Sequence, residues 1–163
     1  MPGDLYAQDI VVWSERQSAL LRRLASGERV NDLDWPHIIE EIEDVGDSAV
    51  RAVRSPLRRA IEHLLKLHGW PGHSASEHWR REVRAFLGDA RREFTPGMRQ
   101  QIDVDAIYAD AAEQIAADTM GGQPPAPLPG SSPWTLDELL ARPANIDALL
   151  AIMSGPAGSS AAA

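Results

Sequence analysis

Apolar positions recur at spacings of three and four along the chain and never alternate as in a strand. The first run, Tyr6, Ile10, Trp13, Leu20, Leu21 and Leu24, predicts a helix over 5–25. Asp4 suits its N-cap and Gly27 its stop. A second run follows Asp34-Trp35-Pro36, which supplies a cap and a first-turn proline. Trp35, Ile38, Ile39, Ile42 and Val45 form one stripe, with Glu41 and Glu43 flanking it and Glu40 and Asp44 pointing away. Past the helix-weakening Gly46 the phase resumes at Val50, Val53, Leu57, Ile61, Leu64 and Leu65, to end near His68 before Gly69-Trp70-Pro71-Gly72. Ser55-Pro56 inside this run either caps a new helix or kinks a long one.

The third helix has the clearest pattern. Ser74 and Glu77 have capping-box spacing, and Trp79, Val83, Phe86, Leu87, Ala90 and Phe94 share one face. Arg80, Arg84 and Arg91 border that face on one side, and Glu82, Asp89 and Glu93 on the other. A fourth helix is expected from Thr95-Pro96 to near Met120, stopping at Gly121-Gly122. Its apolar face is Ile102, Ala109, Ala112 and Ala116, with Tyr108 and Ile115 to one side. Asp105 inside that arc has to be paired or at its rim. Residues 123–133 hold five prolines and no regular element, which predicts an extended strap. Thr135 and Glu138 repeat the capping-box spacing, and a short helix fits 145–153. The small polar residues 154–163 predict a disordered tail. The expectation is an all-α single domain over 4–153, a compact bundle of about five main helices closed by the proline-rich strap and Trp134.

Composition narrows the chemistry. The 163 residues suit one domain, and the absence of cysteine excludes disulfides, thiolate metal sites and a cysteine nucleophile. No apolar run approaches the roughly 18–20 residues of a membrane span, and no signal pattern opens the chain, so a cytoplasmic protein is expected. The net charge of −8 is unevenly spread. Residues 1–47 hold 4 basic and 11 acidic groups, residues 48–100 hold 11 and 5, and residues 101–163 hold 1 and 8. Either the parts neutralise one another, or the middle offers arginines to a phosphate or a protein carboxylate. Overall acidity argues against general nucleic-acid binding.

Several blocks, in order, match a known pattern. Tyr6…Asp9…Trp13, Leu33-Asp34-Trp35, Ile39-Glu40-Glu41-Ile42-Glu43 with Gly46, Glu62-His63-Leu64-Leu65-Lys66, Trp79-Arg80 and Pro133-Trp134-Thr135 together resemble a bacterial family, the domain of unknown function 29. The resemblance covers about residues 4–142. It implies a compact all-helical domain and no assigned activity. Two features depart from the family: alanines 109, 111 and 112 follow Tyr108 where an arginine is common, and the tail after Arg142 differs.

Three groups of residues are candidate sites. Glu41, His63 and Arg80 lie in the resembling blocks, and Glu41 and Arg80 each border an apolar stripe. Facing stripes would pair them, either to set helix register or to frame an anion or ligand site. His63, His68, His73 and His78 recur every five residues, about 140° apart on a helix, so no shared metal face is predicted. Arg58 and His63 have a spacing similar to that of small helical toxin ribonucleases, where histidine is the acid or base and arginine holds phosphate. The plain alternative is the helix ion pairs Arg58–Glu62 and Glu62–Lys66. Nucleophile elbows, phosphate loops and dinucleotide fingerprints are absent, and no cofactor is implied. Trp13, Trp35, Trp79 and Phe86 read as core residues. The expected function is a non-enzymatic interaction protein that binds a protein partner, or itself, through helix faces and the groove bordered by Arg80 and Arg84. The alternatives are a metal-independent ribonuclease using His63 and Arg58, and a nucleic-acid-binding antitoxin or regulator using the cationic middle.

Overall fold

In the computed structural model, which describes residues 4–155, Asp9 ends one helix and starts the next. Its backbone is extended, and its carboxylate accepts from the amides of Val11 (3.1 Å) and Val12 (3.0 Å). The continuous helix expected over 5–25 is therefore two, α1 (Leu5–Gln8) and α2 (Ile10–Ala25). The N-cap bonds outweigh an unbroken apolar spacing. Gly27, at φ 91°, follows the end of α2 in the left-handed region that glycine tolerates.

The next element, α3 (Trp35–Gly69), is one helix that runs through both Gly46 and Pro56. Pro56 has no N–H, so the Ala52 carbonyl loses its intrahelical donor. The chain then forms α4 (Ser76–Glu93), a 3₁₀ turn (Pro96–Gln101), α5 (Val104–Ala117), α6 (Leu136–Leu140) and α7 (Ile146–Met153). The described residues form no strand, and the fold is all-α.

The chain divides into two compact units, Met1–Ser48 and Ala49–Ala163. The first has a small interior in which Trp13, Gln17 and Ile38 are buried. The second holds the main core: Val53, Leu57, Ile61, Leu64 and Leu65 from α3 cluster with Val83 and Leu87, Tyr108, Trp134 and Leu139.

Two helix starts in the second unit differ from expectation. The capping box at Ser74 and Glu77 does not form; α4 begins at Ser76 with no side-chain cap bond. His73 takes the local groups instead, its Nδ1 accepting from the Ala75 amide (3.1 Å) and its carbonyl accepting from the Ser76 hydroxyl (2.6 Å). The fourth helix starts at Val104 rather than at Pro96, because Asp103 caps it by accepting from the Ala106 amide (3.0 Å). The later start turns Ile107, Tyr108, Ala111 and Ile115 inward and leaves Ala109 and Ala116 exposed. Ile102 is buried ahead of the helix.

The proline-rich segment 123–133 contains no helix and is hydrogen-bonded to the C-terminal end of α3 and to α5. Ala126 donates to the Gly69 carbonyl (2.8 Å), Trp70 Nε1 to the Gln123 carbonyl (2.9 Å) and the Tyr108 hydroxyl to the Pro129 carbonyl (2.6 Å). The Ser132 amide donates to Asp105 (3.1 Å), so that carboxylate is exposed and paired. Thr135 and Glu138 form a full capping box, Asn145 caps α7, and Trp134 Nε1 donates to the Leu149 carbonyl (2.9 Å). Of the tail expected over 154–163, Ser154 and Gly155 are hydrogen-bonded to the last turn of α7, and 156–163 lie outside the described residues.

Candidate interaction site

A polar and aromatic cluster organises the first unit. The Asp34 carboxylate receives His37 Nδ1 at 2.7 Å and Trp13 Nε1 at 2.9 Å, while the Asp34 amide donates to the buried Gln17 side chain at 3.0 Å. The His37 ring lies flat on Tyr6, with centroids 4.0 Å apart, and Tyr6 meets Trp13 edge-on at 5.0 Å. The Tyr6 hydroxyl donates to Glu41 at 2.8 Å. These contacts set the charges. The bonds from His37 and then Trp13 hold Asp34 below its usual range, and the bond to Asp34 holds His37 above its own. The Glu41 carboxylate pushes the Tyr6 hydroxyl up to about 12, so Tyr6 stays a donor at neutral pH.

Beside this cluster lies an apolar surface that the other described residues leave open. Of the stripe on α3, only Ile38 is buried; Trp35 is 50% exposed, Ile39 53%, Ile42 68% and Val45 70%. The stripe is therefore not the core face its periodicity suggests. Trp35 is likewise not a core residue, and Phe86 is half-buried, whereas Trp13 and Trp79 are buried. Between α2 and α3 a cavity of about 190 Å³ opens, walled by Trp13, Leu21, Ile38 and Ile42, with Gln17 and Glu41 its larger polar side chains.

The cluster expected from Glu41, His63 and Arg80 resolves into three separate environments. Glu41 accepts from Tyr6, and Arg80 donates to Asp147 on α7 at 2.8 Å. His63 is half-buried against Phe86, with ring centroids 5.8 Å apart, and burial lowers its pKa. Its Nδ1 is buried without a hydrogen-bond partner. Arg84 is exposed on α4. Arg91, on the same border in the sequence pattern, is half-buried with Nε and Nη2 lacking acceptors.

Arg58 and His63 do not converge either. An open cavity of about 710 Å³ is lined by Arg58, Arg59, Glu62, Phe86 and Asp89, but not by His63. Glu62 is buried and lies 3.5 Å from Arg58 and 3.4 Å from Arg59, which offsets the cations a phosphate would need. Of the other histidines, His68 contacts the Pro127 carbonyl at 3.0 Å, His73 stacks on Trp79, and His78 is exposed. Among the described residues, no group of three or more potential ligands is placed to hold a metal ion. Nor is any helix long and apolar enough to cross a membrane.

The family described as "Domain of unknown function DUF29" matches residues 5–143. The chain belongs to the DUF29 family. Among solved structures, this DUF29 chain is similar to an alpha-helical protein of unknown function from Rhodospirillum rubrum ATCC 11170. The two are 30% identical, the match covers 91% of this chain and 96% of that one, and the TM-score is 0.56. No curated protein matches.

The resembling blocks of this DUF29 protein have distinct structural uses. Tyr6, Trp13, Asp34 and Glu41 build the first-unit cluster. Trp79 and Trp134 are core residues, and Thr135 is a cap. Within Ile39-Glu40-Glu41-Ile42-Glu43, however, both isoleucines are more than half exposed. His37 and Gln17 had no place in the sequence reading. The three-residue spacing from Asp34 to His37, one helical turn, was the available signal for the first; a polar residue on the buried side of α2 carries none.

Proposed function

We propose that this DUF29 protein is a non-enzymatic, cytoplasmic protein-interaction domain that docks a protein partner on the apolar face of residues 35–45. One observation carries the reading. Of the exposed large apolar side chains among the described residues, all but Ile152 lie between Ile10 and Val45. Apolar side chains scattered singly over a surface need no explanation, whereas clustering on one small unit marks an interaction surface.

The test is native purification of the tagged full chain from its host at low salt, with and without nuclease. Wild type is compared with the double variant Ile42→Glu, Val45→Glu. The expected result is a stoichiometric protein partner that resists nuclease and is lost from the variant, with the helical circular dichroism unchanged. A partner retained by the variant would refute the docking face. Nucleic acid that co-purifies and washes away with salt would point instead to the arginines of the second unit.

A further inference from the structure

We infer that the partner is a basic amphipathic helix. Its apolar stripe lies along Ile39, Ile42 and Val45, and one of its apolar side chains fills the cavity between α2 and α3. The inference rests on the docking reading above and adds the chemistry of the occupant.

Three observations carry it. First, face and cavity are one surface, since Ile42 is both 68% exposed and part of the cavity wall. A ridge of apolar side chains beside a hole for one more is the geometry that receives a helix through residues three and four apart. Second, the unit that carries the face is acidic: residues 1–47 hold 11 acidic groups against 4 basic ones. Of the two carboxylates that flank the stripe, Glu41 is engaged by Tyr6, and the exposed Glu43 is left for a partner. A second copy would bring the same acidic face against this one, and like charges across an interface oppose pairing; lysines and arginines flanking a partner's apolar stripe complement it. Third, Gly46 falls within the apolar arc, is exposed, and has nothing within 4 Å of the place a Cβ would occupy. No contact among the described residues uses its smallness, which leaves room for a partner backbone to approach closely.

Fluorescence anisotropy on the full-length protein tests the inference with three labelled peptides. One is an amphipathic leucine–lysine helix, the second is its leucine–glutamate counterpart, and the third is a leucine–lysine peptide scrambled to lose its stripe. The amphipathic lysine peptide is expected to bind at least about tenfold more tightly than either of the others, and to weaken between low and high salt. Ile42→Glu and, separately, Val45→Glu should each weaken it about tenfold or more. Equal binding of the glutamate peptide, lost in both variants, would overturn the basic partner and leave the docking face standing. Binding of the lysine peptide that survives both variants, or no binding of any peptide, would overturn the face as well. A wild-type dimer in sedimentation velocity that Ile42→Glu dissociates would replace the basic partner with a second copy.

Discussion

His37 and His63 are pushed in opposite directions by their surroundings, and the difference is measurable. His37 shares a proton with Asp34 and faces the further negative charges of Asp4 and Glu40, so its pKa lies above 6.5. His63 is half-buried beside Phe86 near Lys66, so its pKa lies below 6.5. A raised histidine contributes stability that is complete below its unfolded value and is lost as pH rises through its folded value. The lowered Asp34 contributes above the ordinary carboxylate range and loses that contribution as pH falls through its own depressed value. The stabilisation from the Asp34–His37 pair is therefore complete between the ordinary values of the two groups, 3.8 and 6.5, and on the alkaline side it is lost as pH rises from 6.5 through the raised His37 value. His63 acts with the other sign: its neutral form is favoured by the fold, so stability falls as pH drops below 6.5 and the unfolded chain takes up the proton. Ring-proton NMR titration should give midpoints on opposite sides of 6.5, and Asp34→Asn should return the His37 midpoint towards it. Coincident midpoints, or a His37 midpoint indifferent to Asp34→Asn, would contradict this assignment.

Two glycines separate what an element needs for itself from what it leaves open. A Cβ on Gly69 would meet the Pro125 Cβ at 2.8 Å, at the point where Ala126 bonds the Gly69 carbonyl. Gly69→Ala should therefore lose about 1–3 kcal/mol through overpacking. Gly46 has open space around it in the exposed middle of α3, so Gly46→Ala should gain about 0.5–1 kcal/mol. Urea unfolding of both variants checks the pair, and like-signed changes would show that steric room does not decide them. Legibility in the sequence follows the same divide between local and distant causes. The start of α6 was readable because its cap is contained within four residues, Thr135 with Glu138. Asp9 was not, since a single cap interrupts an apolar rhythm that continues on both sides of it. Ser74 and Glu77 had the right spacing, but the helix starts only at Ser76, past the place where Ser74 could cap it. The stripe on α3 was visible as a stripe; periodicity shows that a face is apolar, not whether its own chain covers it. The partner of Glu41 was hidden for a related reason, because Tyr6 lies 35 residues away and both Tyr6 and Arg80 fitted the chemistry.

At the scale of the whole molecule, buried apolar surface is divided very unequally. Trp13 and Ile38 are the large apolar side chains buried in the first unit, whereas the second holds a cluster from Val50 to Met153. Local opening free energy follows buried apolar contacts, so the first unit should open without the second. Hydrogen exchange followed by mass spectrometry should show amides of α2 exchanging at least about a hundredfold faster than those of residues 53–65, which corresponds to roughly 3 kcal/mol. Comparable protection in both would mean that the chain opens as one cooperative unit. The inequality also bears on function. A small unit with an exposed apolar face is stabilised by whatever binds that face, because a ligand that binds only the folded state shifts the opening equilibrium. Saturating the protein with the amphipathic leucine–lysine peptide should slow exchange across α2 and residues 35–48 and leave residues 53–65 unchanged. Protection spread evenly over both units, or confined to the second, would place the docking surface elsewhere. The first unit would then be an intrinsically weak appendage whose exposed isoleucines serve no partner.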